Sequence, residues 1–200
     1  MLFRSIRLKL GDELCRFLGD KKLVIGICNG FQVLVKAGIL PGTLSAAEKA
    51  AHDHNQKATL FNNDSGKFED RWIHLKIGGK SVWTEGIKEI IYLPVAHGEG
   101  KFMTLDKDVL EKLKRNGQVV FRYCAKNGAP AAYPSNPNGS VEDIAGITDR
   151  TGRILGLMPH PERHFLSKQH PFWTRSDKKE KFGDGAKIFE NGVAYARKNL

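Results

Sequence analysis

Leu23-Val24-Ile25-Gly26-Ile27-Cys28-Asn29-Gly30-Phe31 joins an apolar run to a helical pattern that continues to Leu40 and stops at Pro41-Gly42. The segment Lys22 to Ile27 reads as a strand of the kind buried in a parallel sheet, and strand, turn and helix together make half of a βαβ unit. So tight a corner forces its central residue into a strained backbone position, and flanking glycines supply the side-chain-free space it needs. Cys28 is thereby held out into a cleft at a helix start, where unpaired N–H groups and the positive end of the dipole favour negative charge on the sulfur. That is the layout of a nucleophile. A small buried hydrophobe in a glycine-rich turn is the other reading of the same residues.

Upstream, Leu10, Leu14, Phe17 and Leu18 recur at helical spacing, so residues 8 to 18 are expected to form a helix closed by Gly19. Downstream comes a polar stretch from Ser45 to Ser65, then strands at 68 to 77 (with Gly78-Gly79 as its turn), 87 to 95 and 119 to 123. Asp106 can cap a helix burying Val109, Leu110 and Leu113, with Gly117 as its stop. Asn127 to Ser140 is rich in turn formers and reads as an ordered loop of the sort that lines sites. A hairpin pairs 144–148 with 153–158, and a last helix near 186 to 198 is expected to bury Ile188, Phe189 and Val193. The expected architecture is one α/β domain over residues 1–200, with a mostly parallel central sheet flanked by helices.

Composition narrows the function classes. Cys15, Cys28 and Cys124 are an odd set at wide spacing, which argues against a disulfide framework and for a reducing, cytoplasmic compartment. No apolar stretch approaches the roughly 20 residues a membrane span requires, and residues 1–7 lack the apolar core and cleavage site of a signal peptide. The net charge of +10 admits nucleic acid, an anionic metabolite or an acidic partner protein. Acidic residues interrupt the basic cluster at 175–181, and aromatics do not recur at a stacking period, so a solvated face is preferred to a nucleic-acid surface. His52 and His54 have metal-compatible spacing but no third ligand nearby, and no metal is expected.

His160 lies between Pro159 and Pro161, and each proline pushes the residue before it out of the helical region. In extended backbone, residues two apart share a side, so Glu162 is placed to orient the His160 imidazole and stabilise its protonated form. Together with Cys28 this completes a nucleophile, a base and an orienter. A rigid surface loop with an incidental histidine fits the same four residues, Pro159 to Glu162.

Four motifs in order now carry a resemblance: Gly26-Ile27-Cys28-Asn29-Gly30-Phe31-Gln32, Pro94-Val95-Ala96-His97-Gly98-Glu99-Gly100, Asn136-Pro137-Asn138-Gly139-Ser140 with Ile144-Ala145-Gly146-Ile147, and Gly156-Leu157-Met158-Pro159-His160-Pro161-Glu162. Over nearly the whole chain this resembles a class I glutamine amidotransferase, and more narrowly the glutaminase subunits of phosphoribosylformylglycinamidine synthases. The resemblance implies Cys28 as nucleophile, His160 as general acid/base, Glu162 as its orienter and the Asn29 backbone N–H as an oxyanion donor. It also implies Gln32 as a substrate contact; His97 and Glu99, in a strand-end loop, are candidates for the amino-acid head group of glutamine.

In such a family the ammonia passes to a synthetase subunit, at times with a small accessory subunit, and that partner carries ATP and magnesium for an amidation in purine biosynthesis. This chain, with no phosphate loop ending in Lys-Ser or Lys-Thr, is expected to hold no cofactor itself. Family members open with a βαβ unit and a glycine-rich loop that lends a second N–H to the oxyanion. The helix at 8–18 matches the one just before the cysteine strand, so the resemblance implies that this opening is absent here. Loss of one oxyanion donor costs about a hundredfold in rate, so impaired activity is expected. A non-catalytic subunit that only docks on the synthetase is the alternative.

Overall fold

Strand β1 (Val24–Ile27) pairs in parallel with β8 (Ile154–Leu157), with Ile27 opposite Leu157, so the chain leaves both strands at the same edge of the sheet. The computed structural model describes residues 13–14, 16–42, 56–175 and 180–200. Between β1 and β8 lie β2 (Ala58–Asn62), β3 (Glu69–Ile77), β4 (Ile90–His97), β5 (Glu99–Thr104), β6 (Val119–Cys124) and β7 (Ile144–Thr148). Among the described residues six strands form one sheet in the order β1-β8-β7-β6-β3-β4, and β2 pairs with β5 in a second.

The α/β class holds, and the sheet is mixed instead of mostly parallel. Among the described residues only β1 and β8 run in parallel; the pairs β8–β7, β7–β6, β6–β3 and β3–β4 are antiparallel. Connections explain this. The Asp149–Gly152 turn between β7 and β8 is too short for a crossover, and Asp149 Oδ1 locks it by accepting the N–H groups of Arg153 and Ile154, each at 3.0 Å. The strands read as unbroken apolar runs because both faces of the sheet are covered, which does not require parallel neighbours.

Helices α1 (Asn29–Lys36) and α2 (Lys107–Arg115) contribute Phe31, Leu34, Val109 and Leu113 to one buried apolar cluster. Helix α3 (Ala186–Asn199) contributes Ile188 to another, with Trp83, Tyr123, Leu155 and Leu157. Local rules set these ends. Asp106 Oδ1 accepts the Val109 N–H at 2.8 Å, capping α2, and Gly117 closes it with φ 67°.

Residues 58–62, inside the polar stretch from Ser45 to Ser65, form β2, with Ala58 and Leu60 turned into the core opposite β5. Strand β4 begins at Ile90 and runs on to His97. Val193 is 51% exposed, because α3 turns Asn191 and Gly192 inward instead: Asn191 donates to the Trp83 and Glu85 carbonyls, and Gly192 lies against the Trp83 ring. Residues 16–19 are helical, whereas most of the 8–18 helix, Cys15, His52 and His54 lie outside the described residues.

Candidate active site

Because Ile27 and Leu157 are register partners, Cys28 and the segment Met158 to Glu162 leave the sheet side by side. The Cys28 N–H donates to the Leu157 carbonyl at 2.8 Å, continuing the ladder one step past β1. The backbone then turns into α1 with Cys28 at φ 51°, ψ −107°, a conformation that strains a side-chain-bearing residue. Gly26 is required by packing, since a Cβ there would sit 2.5 Å from Leu34 Cδ1 and 2.6 Å from the Gly30 carbonyl oxygen. Gly30 faces open space, so packing does not require a glycine there. Cys28 is half-buried and its Sγ lies 3.8 Å from the Ala96 carbonyl oxygen, while the other free cysteine described, Cys124, is buried, with its thiol pushed up by burial.

Strand β4 reaches the same place from the other end of the curled sheet. The His160 N–H donates to the Pro94 carbonyl at 2.8 Å, and its ring is buried. Glu162 is not in extended backbone as expected: Pro161 opens a 3-10 turn, Pro161–His164, as suits its fixed φ. The turn nonetheless delivers the carboxylate, with Glu162 Oε1 2.6 Å from His160 Nδ1. A carboxylate only accepts, so Nδ1 carries a proton and Nε2 is left for the sulfur. His160 Nε2 is buried with no hydrogen-bond partner among the described residues. Burial opposes charge on the ring, but the Cys28 sulfur and Glu162 outweigh it and raise its pKa to about 9. Burial likewise opposes the Glu162 carboxylate, yet His160 and Arg163 hold it below the usual carboxylate range.

Asn29 is the first residue of α1, so its N–H has no partner within the helix and adjoins Cys28. One turn on, buried Gln32 donates through Nε2 to the Glu99 carbonyl at 3.0 Å and approaches Glu99 Oε2 at 3.4 Å, leaving an exposed carboxylate beside the sulfur-bearing turn. His97 is 3% exposed, with Nδ1 3.1 Å from Asn63 Oδ1; burial drives its pKa down to about 4. Asn63 was not foreseen, because it lies in a polar stretch with no periodicity to mark it. The loop motif is structural support: Asn138 bridges Ser140 and the fully buried Tyr123 hydroxyl, and Ser140 Oγ accepts the Phe102 N–H at 2.9 Å. Among the described residues no three His, Cys, Asp or Glu side chains gather to hold a metal ion, and no helix is long and apolar enough to cross a membrane.

Residues 2–196 match the family model for a CobB/CobQ-like glutamine amidotransferase domain. The chain is 48% identical over 200 residues to phosphoribosylformylglycinamidine synthase subunit PurQ of Dehalococcoides mccartyi, covering 98% of this chain and 72% of that protein. It is 40% identical to the subunit of the same name from Methanococcus maripaludis, covering 97% of this chain and 73% of that one. A similar solved structure is that of PurLQS from Thermotoga maritima, with a TM-score of 0.66 and 29% identity over 94% of this chain and 68% of that one.

Proposed function

The chain belongs to the CobB/CobQ-like glutamine amidotransferase family, and from that premise we propose that it hydrolyses glutamine through Cys28, His160 and Glu162, as the glutaminase subunit of a phosphoribosylformylglycinamidine synthase in purine biosynthesis. The observation that carries the site is the parallel register of Ile27 with Leu157, which releases nucleophile and base from the same sheet edge. The Cys28 sulfur attacks the carboxamide carbon of glutamine, and the oxyanion takes the Asn29 N–H. His160 Nε2 protonates the nitrogen as the C–N bond breaks, and ammonia leaves a γ-glutamyl thioester. Water, deprotonated by the same nitrogen, then releases glutamate. Glu162 keeps the tautomer that makes both steps possible.

The Glu99 carboxylate, held against Gln32, suits the α-ammonium of glutamine. The partner is a synthetase subunit, with or without a small accessory subunit, and ATP and magnesium belong to it; the setting is the cytoplasm. The His160–Glu162 contact, at the same sheet edge as Cys28, favours catalysis over mere docking. The test is glutamate and ammonia release from glutamine by the chain with its synthetase, which Cys28→Ala should abolish. Retention of that activity in the variant would overturn the assignment.

A further inference from the structure

Of three buried side-chain atoms without a hydrogen-bond partner among the described residues, one is the catalytic His160 Nε2, one is Arg71 Nε and the third is His97 Nε2. The last is not explained by the mechanism above. Asn63 fixes the chemistry of this ring. Its Nδ2 donates to the carbonyls of Lys67 at 2.9 Å and His97 at 2.8 Å, and its Oδ1 accepts the Gly100 N–H at 3.1 Å. The oxygen is therefore the atom facing His97 Nδ1, so Nδ1 carries the proton and Nε2 is a bare acceptor. The ring cannot swing to find a donor on Gly100's side. It lies against Gly100 so closely that a Cβ there would sit 2.5 Å from Cε1 and 2.8 Å from Nε2. A buried acceptor without a donor is costly, and such atoms call for an explanation.

The strand that carries His97 reaches the reacting atoms. One peptide bond before His97, the Ala96 carbonyl is the oxygen 3.8 Å from Cys28 Sγ, and the His97 ring feels the charge of His160. We propose that His97 Nε2 is the acceptor for the departing nitrogen: it takes a hydrogen bond from the ammonia that forms as Cys28 displaces it. This rests on the glutaminase reading and assigns His97 to the amide end of glutamine instead of its head group. In the step, the Cys28 S–C bond forms, the C–N electron pair stays on nitrogen, and the proton comes from His160 Nε2. No proton moves to or from His97. Its single N–H is held by Asn63, so it has nothing to give to ammonia, which stays uncharged and able to act as a nucleophile.

The test compares reactions with and without a departing nitrogen, using the chain with its synthetase. His97→Leu should lower kcat for glutamine about tenfold, the loss of one hydrogen bond, with KM within twofold. His97→Gln, which restores an uncharged acceptor, should recover most of the rate. Alkylation of Cys28 by iodoacetamide, which releases no nitrogen, should keep its rate and pH profile in both variants. Alkylation that falls in parallel with kcat would show that His97 props the triad, and unchanged kcat would show no contact; either overturns the proposal. Nitrogen NMR of the unsubstituted chain needs no variant: a protonated Nε2 on His97 at neutral pH also overturns it. Absence of glutamine hydrolysis by the unsubstituted complex would instead refute the glutaminase reading itself.

Discussion

Glu162→Gln removes the charge that orients His160 and keeps an oxygen that can accept from Nδ1, so it isolates the electrostatic part of the contact. A charge-assisted hydrogen bond at 2.6 Å contributes about 1.5–3 kcal/mol when dry. The Glu162 side chain is 45% exposed, so solvent screening reduces this to about 1–1.5 kcal/mol. At about 1.4 kcal/mol per unit, the His160 midpoint should drop by about one unit from its value of about 9, as followed by the imidazole proton shifts. Hydrolysis should slow about tenfold in kcat/KM.

Stability follows with a definite sign. The folded pKa of His160 is raised, so its stabilisation is complete below the unfolded value of about 6.5 and is lost as pH rises towards 9. The Glu162 pKa is lowered, so the share it draws from the charged His160 ring is present above the unfolded value of about 4.5, is lost as pH falls below it, and disappears again as His160 deprotonates towards pH 9. Urea denaturation should therefore find the variant weaker by about 1 kcal/mol near pH 5.5 and equal to the parent near pH 9.5. An unmoved His160 midpoint, or the same deficit at both pH values, would refute the reasoning.

Cys28→Gly should abolish hydrolysis while raising stability by about 1 kcal/mol in urea denaturation, because φ 51° strains any residue with a Cβ. Gly156→Ala places a Cβ 2.0 Å from Phe31 Cδ2 and 2.7 Å from Leu40 Cδ1. It should cost about 3 kcal/mol or more by overpacking, seen as a lower thermal midpoint.

The β1 turn, the Asp106 cap and the 149–152 hairpin were legible because each is a local signal: an apolar run against glycine, one side chain capping one N–H, a turn too short for a crossover. That Cys28 leaves the sheet beside His160, and that His160 meets Glu162, was legible for the same reason, since a corner and two prolines mark these residues locally. Strand β2 was not. Its pattern is five residues long and its partner, β5, follows some forty residues later behind Gly98-Glu99-Gly100, which reads as loop. The mixed direction of the sheet escaped because burial on both faces, and not strand direction, sets how apolar a strand is. Asn63 escaped too, since what makes it matter is the His97 ring, which only the β2–β5 pairing brings to it.

Reaction of the folded chain with a chloroketone analogue of glutamine, followed by peptide mapping, asks directly whether Cys28 is the nucleophile of a glutamine site. Cys28 is half-buried at an open turn, whereas burial pushes the Cys124 thiol up and shields it. The expected result is one adduct, on Cys28, slowed by added glutamine and lost when His160 is replaced by Ala. An adduct first on Cys124 or Cys15, or one on Cys28 that glutamine does not slow, would contradict it.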